Sequence, residues 1–401
     1  MSKFLWACFD GGGNVPPSIG IARALGRLGH EVVFAGRATL LDRVRRAGFR
    51  ALELTRAQDL QEAYRWHPRG AVLSYLTSPV VAEELLEIAA AEHPEAVVID
   101  AHFSAALAVA PRFGVPTATM LHSFLHRTYD GMSALLRMQS DVRERSGYGP
   151  LPGIDELWGE RDVLHANALA EFDRPRRAPW PHLTHGGPVL EDDSRVQDLD
   201  LPWPGNDTAP LVVVSFSTEE GQGSVAKLQR TLDALADLPV HVVTTTSGVD
   251  PALLRVPNNA HAVRFASHDA LMRRAAAVVT HGGHGTAMRA LSHGAPLLLL
   301  VGQAADQPGV AALDQSIVAA FVDEIGAGIT VGVDADPGEI RAAVQKLLTD
   351  DDCRLQAARA ARSLKAVDGA RTAALRLAQL VGGSRSDACA APRTRDDTLH
   401  R

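Results

Sequence analysis

The densest chemistry in the sequence is His281-Gly282-Gly283-His284-Gly285-Thr286. It follows the apolar run Ala277 to Thr280 and precedes Met288 and Leu291 at helical spacing. A strand-to-helix turn presents unpaired N–H groups and the positive end of a helix, which suits a phosphate. Glycine lets backbone amides approach a ligand closely. A histidine beside them can donate to a phosphate oxygen, and Thr286 adds a hydroxyl. A tight turn with incidental histidines is the competing reading. Further on, Asp306-Gln307 follows the apolar run Pro296 to Val301. A carboxylate beside an amide suits a ligand rich in hydroxyls, since one accepts while the other donates and accepts. A solvated helix cap would use the same residues. In the first half, Ala96-Val-Val-Ile-Asp100 ends in a carboxylate, and His102, His122 and His126 come soon after. Sixteen histidines in the chain make chance neighbours easy, so each alone reads as a pocket or surface residue.

These residues need a scaffold, and apolar periodicity supplies one. In the first half, Lys3 to Phe9, Glu31 to Gly36, Phe49 to Leu54, Ala96 to Asp100 and Val115 to Leu121 read as strands. Helical patterns over Ser18 to His30, Leu40 to Ala47, Thr77 to Ala91 and Phe103 to Phe113 separate them. Arg127 to Gly159 reads as a helical excursion with a Gly/Pro loop, a candidate wall of a pocket. Between Gly186 and Pro210 the chain turns to Gly, Pro and acidic residues, as a linker does. Alternation then restarts. Strands are expected over Leu211 to Ser217, Val240 to Thr245, His261 to Phe265, Ala277 to Thr280 and Pro296 to Val301. Val225, Leu228, Leu232 and Leu235 mark a helix, and Asp336-Pro337-Gly338-Glu339 is a helix start. Alternating strands and helices imply parallel sheets covered on both faces. The expected organisation is an N-terminal domain over 1–190, a linker over 191–209, a C-terminal domain over 210–383 and a disordered polar tail over 384–401.

The chain has 401 residues, enough for two or three domains at one per ~150 residues. With 46% apolar and 22% charged residues it reads as a soluble globular protein. Its formal charge of −7 argues against a nucleic-acid partner. Cys8, Cys353 and Cys389 form neither a disulfide framework nor a zinc spacing, and a reduced, cytoplasmic compartment fits. The apolar run Phe4 to Phe9 is too short for a signal peptide. No run approaches the ~18 apolar residues of a membrane span.

Together these motifs resemble one family. His281-Gly-Gly-His-Gly-Thr286, then Ala-Leu-Ser-His-Gly-Ala-Pro296, then Ala-Asp306-Gln307-Pro, resemble the donor signature of the nucleotide-sugar glycosyltransferases called GT1. The bacterial antibiotic and natural-product members are most similar. Val213-Val-Ser-Phe-Ser217-Thr218 is similar to that family's phosphate loop, and Arg264-Phe265-Ala-Ser267-His268 to its base-binding segment. Gly187-Pro188-Val-Leu is similar to the end of its N-terminal domain. The resemblance implies an α/β GT-B fold: two Rossmann-like doubly wound domains facing a central cleft. It implies inverting transfer of a sugar from a UDP- or dTDP-sugar to a small hydrophobic aglycone, such as a polyketide or macrolide. His281, Gly283, His284, Gly285, Thr286, Ser217 and Thr218 would hold the diphosphate. Asp306 and Gln307 would hold the sugar, and Phe265, Ser267 and His268 would flank the base. The last helix, about Gly369 to Leu380, would cross back onto the N-terminal domain.

One departure bears on mechanism. The family's usual general base is a histidine in the loop after the first strand, and here that position is Asn14. An amide takes no proton near neutral pH. The carboxylate that orients that histidine corresponds to Asp100. Asp100, directly or through a water or a nearby histidine, is therefore the expected proton acceptor, with His122 next. Helix capping is its alternative role. Asp198-Leu-Asp200 and Asp334-Ala-Asp336 match the Asp-x-Asp of metal-dependent glycosyltransferases, but one lies in the linker and the other at a helix cap. No metal and no cofactor beyond the nucleotide-sugar is expected. Phe103, Phe124, Tyr129, Met132 and Met138 are candidates for an aglycone pocket. Two alternatives remain: a UDP-sugar epimerase on the same fold, and a non-catalytic protein that binds donor or aglycone. The sequence leaves the oligomeric state open, and a homodimer is compatible with it.

Overall fold

The computed structural model describes residues 1–56, 75–159, 161–174, 180–191, 199–204, 207–216, 225–302 and 314–387. They form two parallel sheets. The first contains β1 (Lys3–Ala7), β2 (Glu31–Gly36), β3 (Arg50–Glu53), β4 (Ala96–Asp100), β5 (Thr117–Leu121), β6 (Val163–Ala166) and β7 (Leu183–His185). Their order is β3-β2-β1-β4-β5-β6-β7. The second contains β8 (Leu211–Ser215), β9 (His241–Thr245), β10 (Ala260–Val263), β11 (Ala275–Thr280), β12 (Leu297–Val301) and β13 (Gly328–Gly332). Their order is β10-β9-β8-β11-β12-β13.

The central strands are unbroken apolar runs because helices cover both of their faces. Leu5, Val97 and Ile99 pack on one side of the first sheet, and Phe4, Trp6 and Val98 on the other. Val213 and Leu299 face one side of the second sheet, and Val214 and Leu298 the other. Burying each such side chain contributes about 1.5–3 kcal/mol. Asp336 caps the helix Pro337–Thr349 by accepting from the Glu339 N–H at 2.9 Å, as its sequence signature predicts. That is an N-cap role, not a metal-ligand role; Asp198 of the other Asp-x-Asp match lies outside the described residues.

In each sheet the strand order reverses between two central neighbours. β1 and β4 are adjacent, with Ala7 beside Ile99. β8 and β11 are adjacent, with Ser215 beside Thr280. The loops leaving such a pair diverge to opposite faces, and the crevice they open is where α/β sheets bind ligands. Asn14 follows β1, Asp100 ends β4, and His281 follows β11.

The excursion after β5 is two helices, Tyr129–Arg145 and Ile154–Gly159. β6, β7 and β13 were not legible in the sequence. β6 and β7 have four and three residues, and β13 opens and closes on glycine and is partly exposed. The final helix runs from Gly369 to Asp387, past the start at 384 expected for the tail. It lies on the helix Val15–Arg27, where Ala373, Ala374 and Leu377 join Ile21 and Leu25 in one apolar cluster. Among the described residues no helix is long and apolar enough to cross a membrane.

The two halves also meet directly, through loops and helices. Phe124 lies edge-on to His284 at 5.0 Å and against Phe321 at 5.0 Å. Arg127 donates to Glu324 at 2.8 Å, and Arg289 donates to the Glu191 carbonyl at 2.9 Å. Phe103 is fully buried and stacks on Tyr75 at 4.8 Å. Phe103 and Phe124 are therefore core and domain-contact residues rather than pocket lining. Their rings are consumed by packing that the sequence alone does not reveal.

Candidate functional site

On the N-terminal face, the loop after β1 folds back on its own amide. The Asn14 side chain accepts from the Gly11 N–H at 3.0 Å and donates to the Phe9 carbonyl at 2.8 Å. It also donates to Asp100 Oδ2 at 2.9 Å. Asp100, at the end of β4, is fully buried. Its Oδ1 accepts from the His102 N–H at 3.0 Å and from His102 Nδ1 at 3.1 Å. Burial alone would raise the Asp100 carboxyl, but the His102 hydrogen bond and the His102 and His122 rings hold it below the usual carboxylate range. Asp100 is thus an ionised carboxylate, out of reach of solvent.

His122 follows β5. Its Nε2 is 3.1 Å from Ser18 Oγ and 3.6 Å from Asp100 Oδ2, and its Nδ1 is 2.7 Å from Asn167 Nδ2. Burial lowers its pKa to about 4, the Asp100 charge notwithstanding, so the ring is neutral at pH 7. His126 lies apart from this group, stacked on Trp180 at 6.1 Å. His126, Asp173 and His185 bring potential ligand atoms within 4.8 Å of one another. Asp173 is already saturated: it accepts from the N–H groups of Leu125, His126 and Arg127 and from His185 Nε2. That group pins the turn before the helix Tyr129–Arg145.

On the C-terminal face, His281 follows β11 and is buried. Its ring is hydrogen-bonded to the Ser215 backbone, tying the ends of β8 and β11 together. Burial, and then the Lys227 charge, lowers its pKa to about 3. The ring is therefore neutral at pH 7 with its one N–H given to the Ser215 backbone, so it is not the cation that a charge-assisted contact would need. Gly282 has φ of +87°, a conformation that favours glycine. Gly283 is required for space, because a Cβ there would lie 2.7 Å from His281 Nε2. The helix His284–Ser292 begins at once, and nothing lies within 4 Å of where a Cβ would stand on Gly285. His284 is buried with Nε2 unpartnered, and burial lowers its pKa to about 4. Thr286 lies partly exposed in the same first turn.

Ser267 caps the helix His268–Met272, accepting from the Ala270 N–H at 3.2 Å. His268 Nε2 lies within reach of Ser215 Oγ and Thr245 Oγ1 at 3.2 and 3.1 Å. These two side chains hold strand ends together, while Phe265 is 46% exposed beside them. Ser217, Thr218, Asp306 and Gln307 lie outside the described residues.

Three further residues stand at the site. Lys227 is buried over the Phe216 ring at 4.6 Å, and its pKa is lowered to about 8 by burial and then by Arg230. Asp314 is half-buried, with Oδ2 3.5 Å from the His284 N–H, and desolvation raises its carboxyl. His102 is 29% exposed at its side chain, beside the Phe9 ring at 5.6 Å. No sequence motif marks Lys227 or Asp314. His102 was visible as a neighbour of Asp100, but nothing in the spacing ranked it above His122.

Comparison with known proteins identifies the fold. The family described as erythromycin biosynthesis protein CIII-like, C-terminal domain, matches residues 229–372. The 4'-demethylrebeccamycin synthase of Lentzea aerocolonigenes is 26% identical, covering 89% of this chain and 94% of that protein. The tylactone mycaminosyltransferase of Streptomyces fradiae is 36% identical, covering 51% of this chain and 43% of that protein. The chain spans about half the length of some of the curated relatives it matches. Among solved structures, CalG4, the calicheamicin glycosyltransferase, superposes with a TM-score of 0.70 at 22% identity, covering 95% of this chain and 98% of that one. The fold is GT-B, and the curated relatives include named antibiotic glycosyltransferases.

Proposed function

We propose that this chain, a GT-B relative of the antibiotic glycosyltransferases with an erythromycin CIII-like C-terminal domain, is an inverting glycosyltransferase that moves a sugar from a UDP- or dTDP-sugar to a small hydrophobic natural product. One observation carries the reading. Two switch points lie on halves that meet through Phe124 and His284, one bearing a buried carboxylate with an attached imidazole, the other a helix N-terminus behind a His-Gly-Gly turn. The second suits a diphosphate. The first suits deprotonation of an acceptor hydroxyl.

In this reading the diphosphate lies against the N–H groups opening the helix His284–Ser292, with His281 shaping the turn and Thr286 assisting. Ser217 and Thr218 complete the phosphate loop, Asp306 and Gln307 hold the sugar, and Phe265 lies beside the base. The helix end stabilises the leaving diphosphate without a metal ion. No cofactor beyond the nucleotide-sugar is needed, and the enzyme works in the cytoplasm. The named relatives favour transfer over epimerisation or binding alone.

The test is product analysis. The protein is incubated with UDP- and dTDP-sugars, with and without a panel of phenolic and polyketide alcohols. A glycosylated acceptor with free nucleoside diphosphate is expected. Conversion of the donor to an isomeric sugar nucleotide without acceptor would establish the epimerase instead.

A further inference from the structure

We infer that His102 is the general base of this enzyme, with Asp100 and Asn14 as positioning residues; this deepens the reading above and rests on it. Four groups meet at the end of β4, and hydrogen-bond accounting separates them. Asn14 has no basic atom. Asp100 is fully buried, and its oxygens accept from His102 N, His102 Nδ1 and Asn14 Nδ2, so no acceptor hydroxyl reaches it.

His122 is excluded by its tautomer. The Ser18 hydroxyl donates to the Asn14 carbonyl at 2.8 Å. Its oxygen therefore accepts at 3.1 Å from His122 Nε2, which must carry the proton. His122 Nδ1 then accepts from Asn167 Nδ2 at 2.7 Å. Both ring nitrogens are occupied, and the side chain is 7% exposed.

His102 has the opposite arrangement. Its Nδ1–H donates to the Asp100 carboxylate, which leaves Nε2 without a proton and free to accept one. Its backbone N–H holds the same oxygen, so the ring is fixed at two points. Phe9 lies against the ring at 5.6 Å. The side chain is 29% exposed, so Nε2 is open to an acceptor hydroxyl where His122 is closed.

The step balances within the site. The acceptor O–H proton passes to His102 Nε2 as the acceptor oxygen bonds to the anomeric carbon. The bond from that carbon to the diphosphate oxygen breaks, and its electron pair leaves with the nucleoside diphosphate. The Asp100 carboxylate stabilises the imidazolium, which later releases its proton to water. His102 thus takes the role that the resemblance assigns to position 14. Asn14 uses its amide to hold Asp100 Oδ2, the oxygen facing away from His102.

The experiment has two arms. In the first, transfer rate and nucleotide affinity are measured for wild type, His102→Ala and His102→Gln. Gln can keep a donor toward Asp100, which protects against misfolding. A loss of about 10²–10⁴-fold in transfer at unchanged nucleotide affinity is expected for both. Near-normal transfer by either variant overturns the proposal. In the second arm, nitrogen-15 NMR of the imidazoles is recorded in wild type and Asp100→Asn, with no donor or acceptor present. The Nδ1–H tautomer at His102 is expected in wild type, and its loss in Asp100→Asn. A proton on Nε2 of His102 in the resting protein overturns the proposal. The second arm decides even where wild type isomerises donors instead of transferring sugar, so failure of the functional reading stays separate.

Discussion

Asn14 donates its side-chain amide to Asp100 at 2.9 Å, across 86 positions of the chain. The contact joins the loop after β1 to the end of β4 and orients the carboxylate that holds His102. Asn14 thus has a definite task although it cannot take a proton. Replacing it with Ala removes contacts to Gly11, Phe9 and Asp100 at a buried position. The expected cost is about 1–3 kcal/mol of stability, read from the urea midpoint, with a smaller loss of transfer than for His102→Ala. An unchanged midpoint would show that the loop holds itself.

Asp100→Asn keeps the shape but removes the charge that stabilises an imidazolium. Transfer should fall about 10²–10⁴-fold while nucleotide affinity stays constant. Initial rates beside calorimetric titration with UDP and dTDP separate the two. An Asp100→Asn enzyme with a normal rate would mean that the carboxylate only caps the turn at His102.

His281→Ala should weaken nucleoside diphosphate binding modestly. The ring is neutral at pH 7, its pKa lowered to about 3 by burial and then by Lys227. With its N–H held by the Ser215 backbone the ring offers no charge-assisted contact, so the loss should stay within about 0.5–1.5 kcal/mol, or roughly two- to tenfold in Kd. Equal affinities in wild type and mutant would remove His281 from the diphosphate site.

Gly283→Ala tests the same ring without touching it chemically. The new Cβ would lie 2.7 Å from His281 Nε2 and 3.0 Å from Cε1, so the imidazole must move. Nucleotide affinity should fall at least as far as in His281→Ala. A crystal structure of the variant with the ring in place would contradict this.

Activity should survive EDTA, because a helix N-terminus takes the place of a cation at the diphosphate. Loss of transfer with EDTA, restored by magnesium or manganese, would require a metal site in this mechanism.

Acid should destabilise the fold earlier than its carboxylates alone would dictate. Burial lowers the pKa of His122 and His284 to about 4 and of His165 and His281 to about 3. The unfolded chain has ordinary histidines near ~6.5. Between pH 6.5 and 4 the unfolded state binds more protons, so stability falls as pH falls through that window. Each histidine contributes a slope of up to about 1.4 kcal/mol per pH unit. Urea midpoints from pH 7 to 4.5 should therefore decline steadily. A flat profile down to pH 5 would mean that these rings are solvated.

The alternation of apolar runs and helical patterns was enough to place most strands of both sheets, since a buried parallel strand must be apolar along its length. The His-Gly-Gly-His turn was legible for the same local reason. A strand, two glycines and a helix start are consecutive in the chain, and their chemistry depends on backbone geometry that adjacent residues dictate. β6, β7 and β13 escaped because short strands at or near a sheet edge lack that apolar signature.

The residue that meets Asp100 was decided elsewhere. His102, His122 and His126 all follow strands of one sheet, and their spacing does not say which ring turns toward the carboxylate. The fold sends His126 to Trp180 and Asp173, and closes His122 between Ser18 and Asn167. His102 keeps one nitrogen on Asp100 and leaves part of its side chain exposed. Residue types and strand ends are written locally, so sequence determined the architecture and the candidates. Tautomer, burial and reach depend on hydrogen-bond partners brought together from distant segments. Those exist only once β1, β4 and β5 lie side by side.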